Sequence, residues 1–156
     1  MKITLWTIGA TNEVYLKEGI AIYQNRLKHY TNFKIEDFKI KVPKSADAKT
    51  VKKVEAEFIS KKLQPSDVLI LLDEKGKSYS SREFAAFIEK KQVAGTRHLI
   101  FLIGGAFGFD DAIYKRANGK LSLSAMTFSH QMIRLFFCEQ LYRGFTILNN
   151  EPYHND

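Results

Sequence analysis

Two uninterrupted apolar runs place the strongest constraint on how this chain can fold. Val68 to Leu72 reads VLILL and Leu99 to Ile103 reads LIFLI, without a polar side chain in either run. A strand that is apolar on both faces must be covered on both faces, which is the pattern of a parallel sheet enclosed by helices. The two runs therefore predict strands in the middle of such a sheet.

The segments around these runs alternate between strand and helix patterns. Strands are predicted at 3–8 and at 33–42, where Pro43 ends the second one. Helices are predicted at 14–27, 48–63, 84–92, 110–117 and 131–145, loops or turns at 73–78 and 118–119, and an extended segment at 121–128. This alternation predicts an α/β fold with a mainly parallel sheet flanked by helices, and the length fits one domain spanning residues 1–156.

A glycine-rich turn, Gly104-Gly105-x-x-Gly108, follows the second apolar run. It lacks the G-x-G-x-x-G order of a Rossmann site, and no acid occurs between Asp111 and Glu139 to hold a ribose. Phe109 follows the last glycine where a P-loop needs lysine, and no serine stands between glycines as in a hydrolase elbow. Two readings stay open, an uncharged ligand pocket and glycines needed only for a tight turn.

The charge balance favours a polyanionic partner, since the net charge is +7 and the isoelectric point is near 9.4. Six lysines against one acid lie between Lys39 and Lys53, either as a solvated face or as an RNA-facing patch. Cys138 is the single cysteine, so one chain has no internal disulfide and no cysteine-based zinc site. With no long apolar run, we expect a cytoplasmic protein that binds no membrane and no metal.

Motifs spread along the chain form a set that is specific as a whole. They are the LIGG segment at 102–105 with Gly108, LSLS-x-MTF at 121–128, His130-Gln131, Arg134, EQLYR at 139–143 and Tyr153-His154. Met1-Lys2-Ile3, Tyr23-x-x-Arg26-Leu27 and Leu72-Asp73-x-x-Gly76-Lys77 fit the same set. Over essentially its whole length, the sequence resembles the RlmH (YbeA-type) family of SPOUT methyltransferases.

The resemblance implies a SPOUT-type fold with a C-terminal trefoil knot, a homodimer and S-adenosylmethionine as the methyl donor. The implied reaction is methylation of N3 of a pseudouridine in 23S ribosomal RNA of the assembled ribosome. By position, the implied cofactor-binding residues are Leu72, Gly104, Leu123, Ser124, Ala125, Met126, Thr127 and Phe128. The sequence departs from the family at Ser129, where proline is common, and serine is a good helix N-cap.

The residues expected to contact the target base follow from the chemistry of that reaction. A base must remove the proton of the ring nitrogen, or a cation must stabilise the ring anion that forms. His130, Arg143 and His154 are the predicted catalytic residues, and Arg134 and Tyr153 are the predicted RNA contacts. Two alternatives stay open: His130 as a hydrogen-bonding residue at a helix start, and Arg134 as a partner of a carboxylate on another subunit. Cys138 is expected to be a packing residue.

The predicted helix at 131–145 carries apolar side chains nearly all round, so it must be buried on more than one side. In a domain of this size, a second subunit is the natural partner for the additional face. Three rival functions remain at this point. They are a non-catalytic RNA-binding module, a dinucleotide-dependent oxidoreductase, which the glycine spacing disfavours, and another SPOUT enzyme acting on transfer RNA or protein.

Overall fold

The computed structural model describes residues 1–155, and Asp156, the last residue of the predicted domain, lies outside this range. Strands and helices alternate along the chain. They are β1 (Lys2–Ile8), α1 (Val14–Leu27), β2 (Asn32–Phe38), α2 (Ala48–Lys62), β3 (Val68–Ser78), α3 (Ser81–Val93), β4 (His98–Ile103), α4 (Asp111–Arg116), β5 (Gly119–Ser122) and α5 (Met132–Leu148). The predicted α/β alternation is confirmed.

Within residues 1–155, five strands form one sheet in the order β2-β1-β4-β3-β5, and every pairing in it is parallel. The two apolar runs occupy β3 and β4, and β4 lies at the centre of the sheet. Because all strands run the same way, their carboxyl ends meet at one edge, where open parallel sheets bind ligands.

Each face of the sheet is covered by its own helices. On one face, Phe84 of α3, Ile20 of α1 and Phe137 of α5 join a core with Phe101 of β4. On the other face, Ile59 of α2 and Ile113 of α4 belong to a second core that includes Trp6 and Leu102. The residues of β4 alternate between the two cores, which explains why this strand is apolar on both sides.

The loop predicted at 73–78 is wrong, since β3 continues through it to Ser78. A side chain at Gly76 would place its Cβ 2.7 Å from the backbone of Leu121, so only glycine lets β3 and β5 approach each other so closely. After a register shift, Lys77 pairs with Leu121 of β5. This extension carries two acidic residues to the carboxyl edge of the sheet, where the sequence pattern had indicated a turn.

Other strand boundaries in the structure also differ from the predicted ones. β2 stops at Phe38 rather than 42, because its neighbour β1 ends at Ile8, the residue paired with Phe38. Gly9 then turns the chain with a φ of 76°. β5 is regular only to Ser122, so most of the extended segment predicted at 121–128 is a loop, and Gly119, predicted in a turn, begins this strand.

Candidate active site

A cavity of about 380 Å³ opens at the carboxyl ends of β3 and β4 and beneath the loop that joins β5 to α5. The structure brings most of the predicted cofactor residues to its wall. They are Leu72, Gly104, Leu123, Ser124, Met126, Thr127 and Phe128, with His130 at the end of the same loop. Ala125 is exposed and does not line the cavity. We call this cavity the cofactor pocket.

The glycine turn at 104–108 is both tight and part of the pocket wall, but the expectation of an uncharged pocket is wrong, because Asp73, Glu74 and Lys75 also line it. The Gly108 N–H donates to the Gly105 carbonyl at 3.2 Å, and Gly108 has a φ of 78°. A Cβ on Gly104 would lie 3.1 Å from the ring of Phe109. A larger residue at 104 would therefore displace the ring beneath the turn.

Hydroxyl groups of serine fix the loop between β5 and α5. Ser122 donates to the Ser124 carbonyl at 2.9 Å, and the Ser124 hydroxyl accepts the Met126 N–H at 2.9 Å. The Ser129 hydroxyl accepts the Met132 N–H at 3.0 Å, so serine fixes the turn that leads into α5, although the N-cap position of the helix is Gln131. The loop is thus held by local hydrogen bonds while Met126 remains 74% exposed.

Two carboxylates on the β3 extension line the pocket, and both were missed as site residues. The Tyr114 hydroxyl donates to Asp73, and the Thr127 hydroxyl donates to Glu74 at 2.9 Å. Burial, followed by the hydrogen bond to Asp73, raises the pKa of Tyr114 to about 12. The signal was present in Leu72-Asp73-x-x-Gly76-Lys77, but the acids were assigned to a loop rather than to the wall of a pocket.

Arg134 is buried, with 1% of its surface exposed. Its guanidinium donates to the carbonyls of Ile8 at 3.1 Å, Gly9 at 3.0 Å and His130 at 3.0 Å, and to the Thr11 hydroxyl at 3.1 Å. The predicted contact of Arg134 with RNA does not fit this burial, and neither does pairing with another subunit. In this structure the side chain ties the start of α5 to the end of β1.

Gln131 reinforces that connection from the position just before α5. Its side-chain oxygen accepts the Asn12 N–H at 2.9 Å, and its amide donates to the Ala10 carbonyl at 3.0 Å. Gln131 and Arg134 together hold the loop between β1 and α1 against the start of α5. His130, exposed and adjacent to Gln131, lies where this connection meets the pocket.

The remaining predicted residues form a separate group, which we call the tail cluster: Glu139, Arg143, Tyr153 and His154. Arg143 donates to Glu139 at 2.5 Å and contacts the His154 Nδ1 at 3.2 Å, and its guanidinium lies 4.8 Å from the centre of the Tyr153 ring. Tyr153 also donates to Glu139 at 3.1 Å. The hydrogen bond to Glu139 raises the pKa of Arg143, while burial is the main cause of the raised pKa of Tyr153.

The structure does not bring the tail cluster to the cofactor pocket of the same chain. Arg134 and Arg143 are nine residues apart on α5, which corresponds to about 14 Å along the helix axis. Neither Arg143, Tyr153 nor His154 lines the pocket. The predicted catalytic residues therefore fall into two sets, with His130 at the pocket and Arg143 with His154 at the far half of α5.

Two negative findings concern residues 1–155. No group of three or more His, Cys, Asp or Glu side chains in this range is arranged to hold a metal ion. No helix in it has the length and apolar character to cross a bilayer. Cys138 is buried inside α5, and this burial raises its pKa strongly, so it is not poised as a nucleophile.

The chain thus has a parallel α/β sheet with a loop-covered pocket at its carboxyl edge. A family model described as "Predicted SPOUT methyltransferase" matches residues 1–154, and the chain belongs to the SPOUT methyltransferase family. The resemblance inferred from the motifs is confirmed at the level of the family.

Three curated relatives share the name Ribosomal RNA large subunit methyltransferase H. The protein from Cytophaga hutchinsonii is 55% identical, and the alignment covers 99% of this chain and 100% of that protein. The protein from Parabacteroides distasonis is 52% identical over 100% of both chains. The protein from Christiangramia forsetii is 51% identical over 99% of each.

Proposed function

We propose that this chain is an S-adenosylmethionine-dependent methyltransferase that methylates N3 of a pseudouridine in 23S ribosomal RNA of the assembled ribosome, in the cytoplasm. The observation that carries the proposal is the gathering of seven predicted cofactor residues around one cavity. Membership of the SPOUT family supports methyl transfer, and the names of the full-length relatives support large-subunit ribosomal RNA as the substrate.

The residues of the pocket fit S-adenosylmethionine. A volume of about 380 Å³ lies within the usual range for small-molecule sites, about 300–1,000 Å³. Leu72, Ile103 and Leu121 supply apolar wall, and Gly104 keeps the wall free of a side chain that would meet Phe109. When bound, this cofactor would supply a methyl group on a positively charged sulfur. The carboxylates of Asp73 and Glu74, which line the pocket together with Lys75, would complement its positive charges.

The loop at 123–128 would hold the cofactor with its backbone groups and side chains. Ser124 uses its hydroxyl to shape the loop, since it accepts the Met126 N–H. Ala125 contributes backbone only, because its side chain lies outside the pocket. Thr127 fastens the loop to Glu74 on the opposite wall. Good alignment of the two reactants can supply about 7–11 kcal/mol of the barrier, so a fixed loop is the main demand on the protein.

His130 is the proposed proton acceptor for N3 of the target base, since it is exposed at the pocket and lies beside the fixed start of α5. Arg143 is the proposed stabiliser of the ring oxyanion, with His154 and Tyr153 arranged around it. Arg134 is reassigned as a positioning residue, because it holds the His130 carbonyl rather than facing solvent.

We propose a homodimer in which the tail cluster of one subunit completes the pocket of the other. The separation of about 14 Å along α5 prevents a single chain from doing so. Exposed apolar side chains lie beside the crossing of α1 and α5, namely Tyr15, Ile22 and Phe136 at 57%, 50% and 38% exposure. Gly19 lies against Leu135 at this crossing, on the face of α1 shared with Tyr15 and Ile22.

We further propose one domain over 1–156 with a trefoil knot in its C-terminal part. One sheet with a helical layer on each face supports the single domain. Membership of the SPOUT family supports the knot.

The deciding experiment is tritiated methyl transfer from S-adenosylmethionine to ribosomes, free ribosomal RNA and transfer RNA from cells that lack the enzyme. We expect label in 23S RNA of assembled ribosomes, and no label with a Gly104→Val variant, which narrows the pocket. Label in transfer RNA alone would contradict the proposed substrate. Sedimentation as a monomer at micromolar concentration would contradict the proposed homodimer.

A further inference from the structure

The densest positive charge of the chain lies in the segment from the end of β2 to the second turn of α2. We call residues 39–53 the basic segment. Its lysines are Lys39, Lys41, Lys44, Lys49, Lys52 and Lys53, and Asp47 is its one acid. Five of these lysines are exposed and Lys52 is half-buried. The reaction described above uses none of them.

The positive charges of the basic segment are only slightly balanced within the chain, where Lys49 interacts electrostatically with Asp47. The carboxylate of Asp47 caps α2 by accepting the Thr50 N–H at 2.8 Å, and these hydrogen bonds lower its pKa. Among the described residues, none of the six lysines forms an ion pair or a hydrogen bond. The side chains are therefore available to an external anion.

Folding of α2 does not explain these lysines. Lys49 lies in the first turn of α2, which contains no acidic residue, and Lys52 and Lys53 follow in the next turn. Cations at this end of a helix oppose its dipole. Helix α3, by contrast, has Glu83 in its first turn and Lys90 and Lys91 in its last turn. A local arrangement that works against helix stability is expected where a function requires it.

The basic segment lies on the same edge of the sheet as the cofactor pocket. Lys39 directly follows the carboxyl end of β2. Lys52 lines a small cleft together with Gly104 and Gly108, and both glycines also line the cofactor pocket. The glycine turn therefore has the pocket on one side and the start of α2 on the other.

We propose that the basic segment binds backbone phosphates of the RNA that flanks the target nucleotide. The inference rests on the proposed function, because that function supplies the RNA. Exposed lysines act as point charges that recognise phosphate without reading sequence, so they position the RNA instead of selecting the base. Binding of this kind releases counterions and weakens steeply as salt is added.

The test compares two triple variants that remove the same charge. The first is Lys44→Gln, Lys49→Gln and Lys53→Gln in the basic segment. The control is Lys34→Gln, Lys61→Gln and Lys90→Gln, which changes three exposed lysines elsewhere. Each protein is titrated with ribosomes from cells lacking the enzyme at several salt concentrations. S-adenosylmethionine affinity and thermal unfolding are measured in parallel. We expect wild-type affinity in both variants, with Tm slightly raised in the basic-segment variant and slightly lowered in the control, which removes favourable charges from the ends of α2 and α3.

We expect the basic-segment variant to bind ribosomes at least about tenfold more weakly at low salt and to lose about 2 to 3 from the slope of log affinity against log salt. Its KM for ribosomes rises while kcat at saturation is retained, and the control stays within about twofold of wild type. Equal ribosome affinity and salt slope in the two variants would overturn the inference. If wild-type protein neither binds nor methylates ribosomes, the proposed function itself fails, which is a distinguishable result.

Discussion

The two arginines of α5 have opposite surroundings, although both stand on the same helix nine residues apart. The side chain of Arg134 is 1% exposed and donates to three backbone carbonyls. The side chain of Arg143 is 24% exposed and is held by Glu139 and His154, which are side chains that can turn away. These surroundings indicate different roles. Arg134 positions the backbone around the pocket, whereas Arg143 can exchange its side-chain partners for a substrate.

Complementation between subunits is the strongest test of this comparison. Arg143→Met removes the tail cluster and Gly104→Val narrows the pocket, so each protein alone is expected to lose nearly all methyl transfer. In a mixed dimer, one of the two sites has both an intact pocket and an intact tail cluster. Random pairing makes about half of the dimers mixed. Refolding the two variants together should therefore restore about a quarter of wild-type activity. The measurement is tritium incorporation, and no recovery in the mixture would show that each chain uses its own tail cluster.

Arg134→Met is expected to have the largest effect on stability. It leaves the carbonyls of Ile8, Gly9 and His130 without their donor. An acceptor that loses its donor and is kept from water costs about 1–3 kcal/mol, which lowers Tm by roughly 3–10 °C for a chain of this size. Calorimetry of Arg143→Met is the control, with an expected loss below about a third of that amount. Equal losses in both variants would remove the distinction between the two arginines.

Thr127→Val tests the connection across the mouth of the pocket. The lost hydrogen bond to Glu74 contributes about 0.5–1.5 kcal/mol, so the Kd for S-adenosylmethionine should rise roughly two- to tenfold. Isothermal titration measures it, and Thr96→Val is the matched control at a half-buried position away from the pocket. An unchanged Kd would mean that the loop stays in place without this contact.

Glu55→Gln is expected to have the smallest effect. It extends the comparison to a half-buried carboxylate that forms no hydrogen bond or ion pair within residues 1–155. A Cβ on Gly105 would lie 2.6 Å from a Glu55 oxygen, so this carboxylate lies against the glycine turn. Its burial raises its pKa, which means that the ionised form destabilises the folded chain. The variant should therefore be more stable than wild type near pH 8, with the difference vanishing near pH 4. Thermal unfolding at the two pH values checks this, and a constant difference would contradict it.

Periodicity and motif together predicted the sheet and most of the pocket. The apolar runs at 68–72 and 99–103 form strands β3 and β4 inside the sheet, as predicted, and the glycine turn follows β4 as expected. The missed part is the β3 extension with Asp73 and Glu74, which depends on close contact between Gly76 and Leu121. No local pattern reports such a contact, because its two members are far apart in sequence.

The roles of the two arginines could not be separated from sequence either. Both follow apolar or aromatic residues in one helix and both carry the same charge, so the sequence motif gives no basis for assigning them different roles. Burial of Arg134 depends on where the carbonyls of Ile8 and Gly9 lie, and that follows from the pairing of β1 in the finished sheet. Residues that act through long-range hydrogen bonds are the ones that a single sequence describes least well.

The central position of β4 has a consequence for the time at which this chain can fold. β1 pairs with β2 on one side, but its other partner, β4, is completed about 65 residues after β2 ends. At about 5–20 residues per second, synthesis leaves one edge of β1 open for roughly 3–13 s. During that interval an apolar strand with an unpaired edge is exposed at the site of translation, so a newly made chain depends on protection from other nascent chains until β4 emerges.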